Sequence, residues 1–130
     1  MDEFKIINKY LKPLSANNPA ALKLNDDIYF DKKKGIAVSV DTYVEGVHFI
    51  NSLEPKEFLK KVLRSSLSDL YCKGIKPKSY FLSFALNQKH AKPKWLKKVK
   101  NILSSEQKKF NIKLSGGDTT ISSKLIITVI

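Results

Sequence analysis

Residues 54–86 read EPKEFLKKVLRSSLSDLYCKGIKPKSYFLSFAL, and two periodicities meet within them. Phe58, Leu59, Val62, Leu63, Leu67 and Leu70 recur at the spacing that gathers side chains on one side of a helix, with Pro55 at its opening and Gly74 as its stop. Then Tyr80, Leu82, Phe84 and Leu86 alternate with Phe81, Ser83 and Ala85, the two-residue period of a strand. Both faces of that strand are largely apolar, so it belongs in the middle of its sheet.

Upstream, Ile28–Phe30 is a short β-type run ended by the turn residues 31–35, and Ile36, Val38 and Val40 alternate with Ala37 and Ser39 as in a half-buried strand. Asp26 and Asp27 then sit beside a strand start, and Asp41 at a strand's C-terminal end. Phe4, Ile7 and Leu11 space an amphipathic N-terminal helix that Pro13 stops. Downstream, Trp95, Leu96, Val99, Ile102, Leu103 and Phe110 trace a second long helix after Pro93. Ser115–Asp118 is expected as a loop, and the β-branched run Leu125–Ile130 as a strand that ends with the chain. The order helix, strand, strand, helix, strand, helix, strand predicts an α+β fold, a small mixed or antiparallel sheet packed against two long helices, in one domain over residues 1–130. A further segment or second domain is expected beyond the last strand.

The chain has 130 residues, 42% hydrophobic and 28% charged, with no stretch apolar enough to cross a bilayer. Asp2 and Glu3 at its start do not resemble the basic opening of a signal peptide, so a cytoplasmic protein without membrane association is expected. The single cysteine, Cys72, excludes an internal disulfide and is read as structural. A formal charge of +12 invites a polyanion reading, but Arg64 is the only arginine and the lysines are scattered or sit on the wet face of a helix. Nucleic acid is therefore not the expected partner.

No glycine-rich loop precedes a Lys-Ser or Lys-Thr pair, so a nucleotide would have to be held without the usual phosphate cradle. Five of the seven aspartates, Asp26, Asp27, Asp41, Asp69 and Asp118, fall at predicted element ends. Such hard oxygen donors from separate segments suit magnesium bridging polyphosphate oxygens; turn and capping chemistry places aspartates in the same way. Gly116-Gly117-Asp118-Thr119-Thr120 combines close backbone approach, hydroxyls and a carboxylate, and also fits an ordinary turn. His48, between Val47 and Phe49, is either a packing residue or a ligand contact, and His90 has no evident partner.

The segment Asp41-Thr42-Tyr43-Val44-Glu45-Gly46-Val47-His48-Phe49 closely resembles the thiamine-monophosphate kinase family. Asn25-Asp26-Asp27, Ser66-Leu67-Ser68-Asp69-Leu70 and Gly116–Thr120 follow the family's pattern in the same order. The resemblance implies ATP-dependent phosphorylation of thiamine monophosphate to thiamine diphosphate. It implies Mg2+ ligands at Asp27, Ser39, Val40, Asp41, Asp69 and Asp118, ATP contacts at Gly117 and Asp118, and a substrate contact at His48. It also implies a homodimer whose N-terminal domains share a β-barrel, with residues 1–130 as the ATP-binding, magnesium-binding and dimerisation domain and the C-terminal domain absent, so that this chain alone would be inactive. Asn25 stands where glycine is usual, Val40 where threonine is common, and Ile121-Ser122 where Arg-Gly is frequent. Two readings remain beside it: another ATP-dependent enzyme of the aminoimidazole-ribonucleotide-synthetase superfamily with a different small substrate, and a non-catalytic polyanion-binding module.

Overall fold

The computed structural model describes residues 2–130. The chain divides into two compact units, one ending at Ser39 and the other running Val40–Ile130.

In the first unit, α1 (Glu3–Ile6) is capped by Asp2, whose carboxylate accepts the Lys5 amide at 2.9 Å. The helix widens into a π-helical turn at Ile7–Leu11 and tightens into a 3-10 turn at Lys12–Ser15, so the helical turns run through Pro13, where a stop was expected, because proline is tolerated in the first turn of the new segment. None of these residues is buried, and Phe4 stays 74% exposed. Strands β1 (Ile28–Asp31) and β2 (Ile36–Ser39) form an antiparallel hairpin. Its turn is closed by the Asp31 carboxylate on the Lys34 amide, 3.0 Å, and by Gly35 at φ +64°. The register pairs Ile28 with Ser39, and these two are buried while Ile36 and Val40 are exposed, so the expected apolar face of the second strand is not its inner face. Ile36 lies opposite Asp31 at the turn, where nothing covers it within the hairpin.

In the second unit, β3 (Asp41–Val44), β4 (Ser79–Leu86), β5 (Lys113–Ile121) and β6 (Ile126–Val129) form one mixed sheet in the order β3-β6-β4-β5. Only the β4–β5 pair is parallel. Helices α2 (Pro55–Tyr71) and α3 (Pro93–Phe110) bury Phe58, Leu59, Val62, Leu63, Val99 and Leu103 against the Tyr80, Leu82, Ile127 and Val129 face of the sheet. The fold is α+β with two long helices, and β4 is interior as its apolar faces require. The final run is interior too. It lies between β3 and β4, which explains why its residues are so uniformly β-branched.

Both helices end in left-handed residues. Gly74 has φ +71° with the Ile75 amide bonded back to Leu70, and Asn111 has φ 52° with Ile112 bonded back to Gln107. Between the helices Arg64 binds Glu106 through two nitrogens at 2.7 and 2.8 Å, Glu106 being 1% exposed. Cys72 lies exposed at the end of α2.

Two further expectations are corrected. Asp41 opens β3 rather than closing the preceding strand, because the chain leaves the hairpin at Val40 and enters a different sheet. Ser115–Asp118 is not a loop but the middle of β5, which lacks an apolar alternation because it is an edge strand exposed along its whole length. The glycines there have a backbone reason. A Cβ on Gly117 would collide with the Leu82 carbonyl, and one on Gly116 would reach the Phe81 ring at 2.9 Å.

Gly117→Ala is expected to lower stability without any ligand by about 3 kcal/mol, the upper part of the overpacking range, because the obstacle is backbone. At Gly35 a Cβ meets open space, so Gly35→Ala should cost only the left-handed penalty of about 1–2 kcal/mol. Urea midpoints of the two variants compare these directly. The Arg64 hydrogen bonds hold the Glu106 carboxyl below the usual glutamate range, outweighing burial. Because the unfolded chain takes up that proton more readily, the contribution is complete above about pH 4.3 and is lost as pH falls toward the folded value. Thermal melts should therefore fall off on acidification, and Glu106→Gln, less stable at neutral pH, should show a shallower fall.

Candidate functional site

Asp41, Tyr43 and Glu45 alternate along β3 and its exit, so they share the side of the strand that meets α2. The Tyr43 hydroxyl donates to the Asp41 carboxylate at 3.1 Å and lies 3.3 Å from the Ser66 hydroxyl of α2. Burial, together with the adjacent Asp41 charge, pushes the Tyr43 phenol above its ordinary value against the pull of Ser65 and Ser66, so it is a protonated donor at neutral pH. Asp69 is half-buried one helical turn beyond Ser66. Tyr43 thus ties Asp41 to the stretch of helix that carries Asp69.

The chain after β3 is a tight loop held from inside. One Glu45 carboxylate oxygen accepts the Leu125 amide at 2.9 Å and the other accepts the Ser52 hydroxyl. Burial opposes ionisation of Glu45, but these two donors and the neighbouring His90 and Lys89 outweigh it and hold the carboxyl below its ordinary value. Gly46 takes φ +83° and its amide bonds the Phe49 carbonyl at 2.8 Å, while Phe49 stacks on Phe58 at 4.4 Å. His48 is exposed, its ring edge-on to Tyr43 at 5.6 Å between centres, and its Nδ1 accepts the Val44 amide at 2.9 Å. The neutral ring therefore carries its proton on Nε2, as a donor facing away from that bond.

Asp118 and Gly117 stand at the other edge of the sheet. The register forms one row Asp41, Val129, Leu82, Gly117 and the next row Thr42, Thr128, Ser83, Asp118, with the Thr42 and Thr128 hydroxyls 2.9 Å apart. Asp41 and Asp118 are thus on opposite edges, about 14 Å apart at three strand spacings. A cavity of about 680 Å³ opens beside β5, lined by Gly117, Asp118 and Thr119 together with Val99, Leu103 and Ser104 of α3.

The first unit holds Asp27 and Ser39. Asp27 lies in the bend before β1, preceded by Leu22, Lys23 and Leu24 in left-handed conformations, a strained approach for non-glycine residues. Asn25 has φ −103°, so its replacement of glycine carries no left-handed strain, and its side chain accepts the Lys12 ammonium at 3.0 Å. Ser39 is buried at the end of β2 and Val40 is exposed at the join of the units. Among the described residues no three His, Cys, Asp or Glu side chains gather closely enough to hold a metal. The structure therefore brings Asp41 toward the Asp69 stretch of α2 and leaves Asp118 apart from both.

Sequence reasoning passed over Tyr43 and Glu45, although the alternation Asp41, Tyr43, Glu45 was the available signal. Glu45→Gln would turn an amide donor toward the Leu125 amide or the Ser52 hydroxyl. It is expected to cost about 1–3 kcal/mol and to speed amide exchange across residues 46–52, leaving α3 protected, in hydrogen-exchange measurements.

Comparison with known proteins gives this geometry a context. The thiamine-monophosphate kinase of Buchnera aphidicola subsp. Acyrthosiphon pisum is 35% identical over 125 residues, covering 93% of this chain and 38% of that protein. The solved structure of AaThiL complexed with AMPPCP and TMP matches with a TM-score of 0.80 at 23% identity, over 98% of this chain and 40% of its own. The thiamine monophosphate kinase of Aquifex aeolicus matches with a TM-score of 0.78 at 21% identity, over 99% of this chain and 42% of its own. At those identities the two structures establish the shared fold, and this chain spans 38–42% of the length of these relatives. The model for the AIR synthase related protein N-terminal domain covers residues 17–130, and with the mixed sheet, the two covering helices and the Asp41–Phe49 loop described above, it is to this family that the chain belongs.

Proposed function

We propose that this chain is the ATP- and magnesium-binding N-terminal part of a cytoplasmic thiamine-monophosphate kinase, which transfers the γ-phosphoryl group of ATP to the phosphate of thiamine monophosphate. The observation that carries the reading is the build of Asp41–Phe49. A carboxylate bonded by Tyr43 on β3 and a histidine held with Nε2 outward stand on one strand and the loop that leaves it, which is pinned by Glu45 and Phe49. Relatives of known name that match nearly the whole chain support the same assignment, AMPPCP being an ATP analogue.

In this reading Asp27, Ser39, Val40, Asp41, Asp69 and Asp118 supply oxygen donors, side chain or backbone, of the hard type that magnesium takes. Magnesium would offset the charge of two phosphorylated substrates and hold their oxygens in line. The chain's own residues position the reactants: His48 donates Nε2–H to thiamine monophosphate, and the β5 backbone at Gly117 lies against ATP beside Asp118. The attacking group is the substrate's own phosphate oxygen, so no residue forms a covalent intermediate and positioning supplies the catalysis.

A homodimer completes the proposal. β3 and β5 are both edge strands, and two four-stranded sheets make eight strands, enough for a closed barrel. Two-fold closure would set β5 of one chain beside β3 of its partner, bringing Asp118 and Asp41 together from different subunits, which the span across one sheet prevents within a single chain.

Calorimetric titration of AMPPCP tests this. Binding is expected only with magnesium, weakened on the order of tenfold or more by Asp41→Asn or Asp118→Asn. Mixing the two variants should restore about a quarter of the sites, since half the dimers are mixed and each holds one intact site. Magnesium-independent binding, or binding unaffected by either substitution, would overturn the reading.

A further inference from the structure

We propose that the cavity at the start of α3 is a second anion site, separate from the acidic residues above, that takes a compact polyphosphate. The cavity, about 370 Å³, is lined by Lys89, Lys92, Lys94, Lys98, Trp95 and Glu54. Four lysines and one glutamate thus line one hollow, and Lys98 holds the Glu54 carboxylate at 2.6 Å. Crowding like charges around one hollow is unfavourable unless an anion shares it.

The helix start adds to the same sign. Helix α3 has no side-chain cap and no acidic residue in its first turn, where Pro93 lacks an amide proton. Its first helical bond is from the Leu96 amide to Lys92, 3.0 Å, so the amides of Lys94 and Trp95 come before that bond, on residues that line the cavity.

The lysines are carried on a backbone that is set beforehand. In the Asn87–Lys92 loop the Asn87 side chain accepts the Lys89 amide at 2.9 Å, and its carbonyl accepts the His90 and Ala91 amides at 3.0 and 3.2 Å. His90, fully buried, packs edge-on to Trp95 at 4.9 Å between ring centres. Trp95 is itself fixed by its Nε1 donating to the Ser52 carbonyl at 2.9 Å. The aspect is that of a hollow with a rigid aromatic floor and a rim of cations. Its volume suits a di- or triphosphate rather than a polymer. Trp95 is 5% exposed, so it offers no face on which a nucleobase could stack.

Trp95 is the only tryptophan, so its fluorescence reports occupancy of this cavity. The probe is inorganic tripolyphosphate without magnesium, followed by fluorescence and calorimetry on the whole chain. A saturable signal is expected, weakened on the order of tenfold or more in the double variant Lys92→Glu, Lys94→Glu. Glu54→Gln, which removes the competing carboxylate, should tighten binding several-fold, and the exposed Lys76→Glu should leave it unchanged. Absence of both saturable heat and fluorescence change overturns the proposal, as does equal weakening by Lys76→Glu, which would reduce the effect to net charge. The test is independent of the kinase assignment, since without magnesium the acidic residues above hold no anion: a signal that appears only when magnesium is added would place the anion at those residues and overturn the separate site. A single-stranded oligonucleotide that binds more tightly per phosphate than tripolyphosphate would overturn the compact ligand.

Discussion

The parallel pairing of β4 with β5 sets the terms for the rest of the second unit. A parallel neighbour cannot be reached by a hairpin, so the chain must cross over, and α3 is that crossover. Its apolar stripe covers the same sheet face as α2, and the core closes between the two helices and β4 and β6. The pairing in turn depends on the absence of a Cβ at Gly117, where the Leu82 carbonyl occupies the space. One steric requirement therefore serves two ends: it seats β5 on β4, and it carries Asp118 onto an exposed edge beside a cavity.

At the opposite edge the logic is polar. Asp41, Tyr43 and Glu45 point the same way because a strand repeats every two residues, and the latter two find partners on other elements: Tyr43, which also holds Asp41, reaches Ser66, and Glu45 reaches Leu125 and Ser52. Their burial makes those bonds obligatory, since an unpartnered polar group there would cost about 1–3 kcal/mol. The outcome is a loop whose histidine is exposed yet oriented. A segment that could pass for a conventional hairpin exit is instead tied by side-chain bonds to α2, to Leu125 and to Ser52.

The charge of +12 is not spread evenly. Arg64 is committed to Glu106 within the helix pair, where fork geometry is used for structure. Four lysines gather around Trp95, so a feature that composition suggested to be a solvated face has a local concentration produced by the turn at Asn87 and the start of α3. Lys89 and Lys92 are on the loop while Lys94 and Lys98 are on the helix, and no linear pattern joins them into one hollow.

Much of the fold was legible in the sequence because it rests on short-range periodicity. The two long helices, their proline openings, the Gly74 stop, the interior position of β4 and the strand starting after Asp27 all follow from spacing within a few residues. The Asp41–Phe49 segment and the aspartates were also recognisable, since the resemblance lies in residue identity. What the sequence could not determine was the identity of β5 as a strand, the burial of Ser39 in place of Ile36, and the tie from Asp41 through Tyr43 to α2. Each depends on which strand lies alongside and in what register, a long-range choice. Only the tertiary structure decided that Asp41 and Asp118 stand on opposite edges of one sheet, because strand order is set by how apolar faces close over each other and not by any local property of the chain.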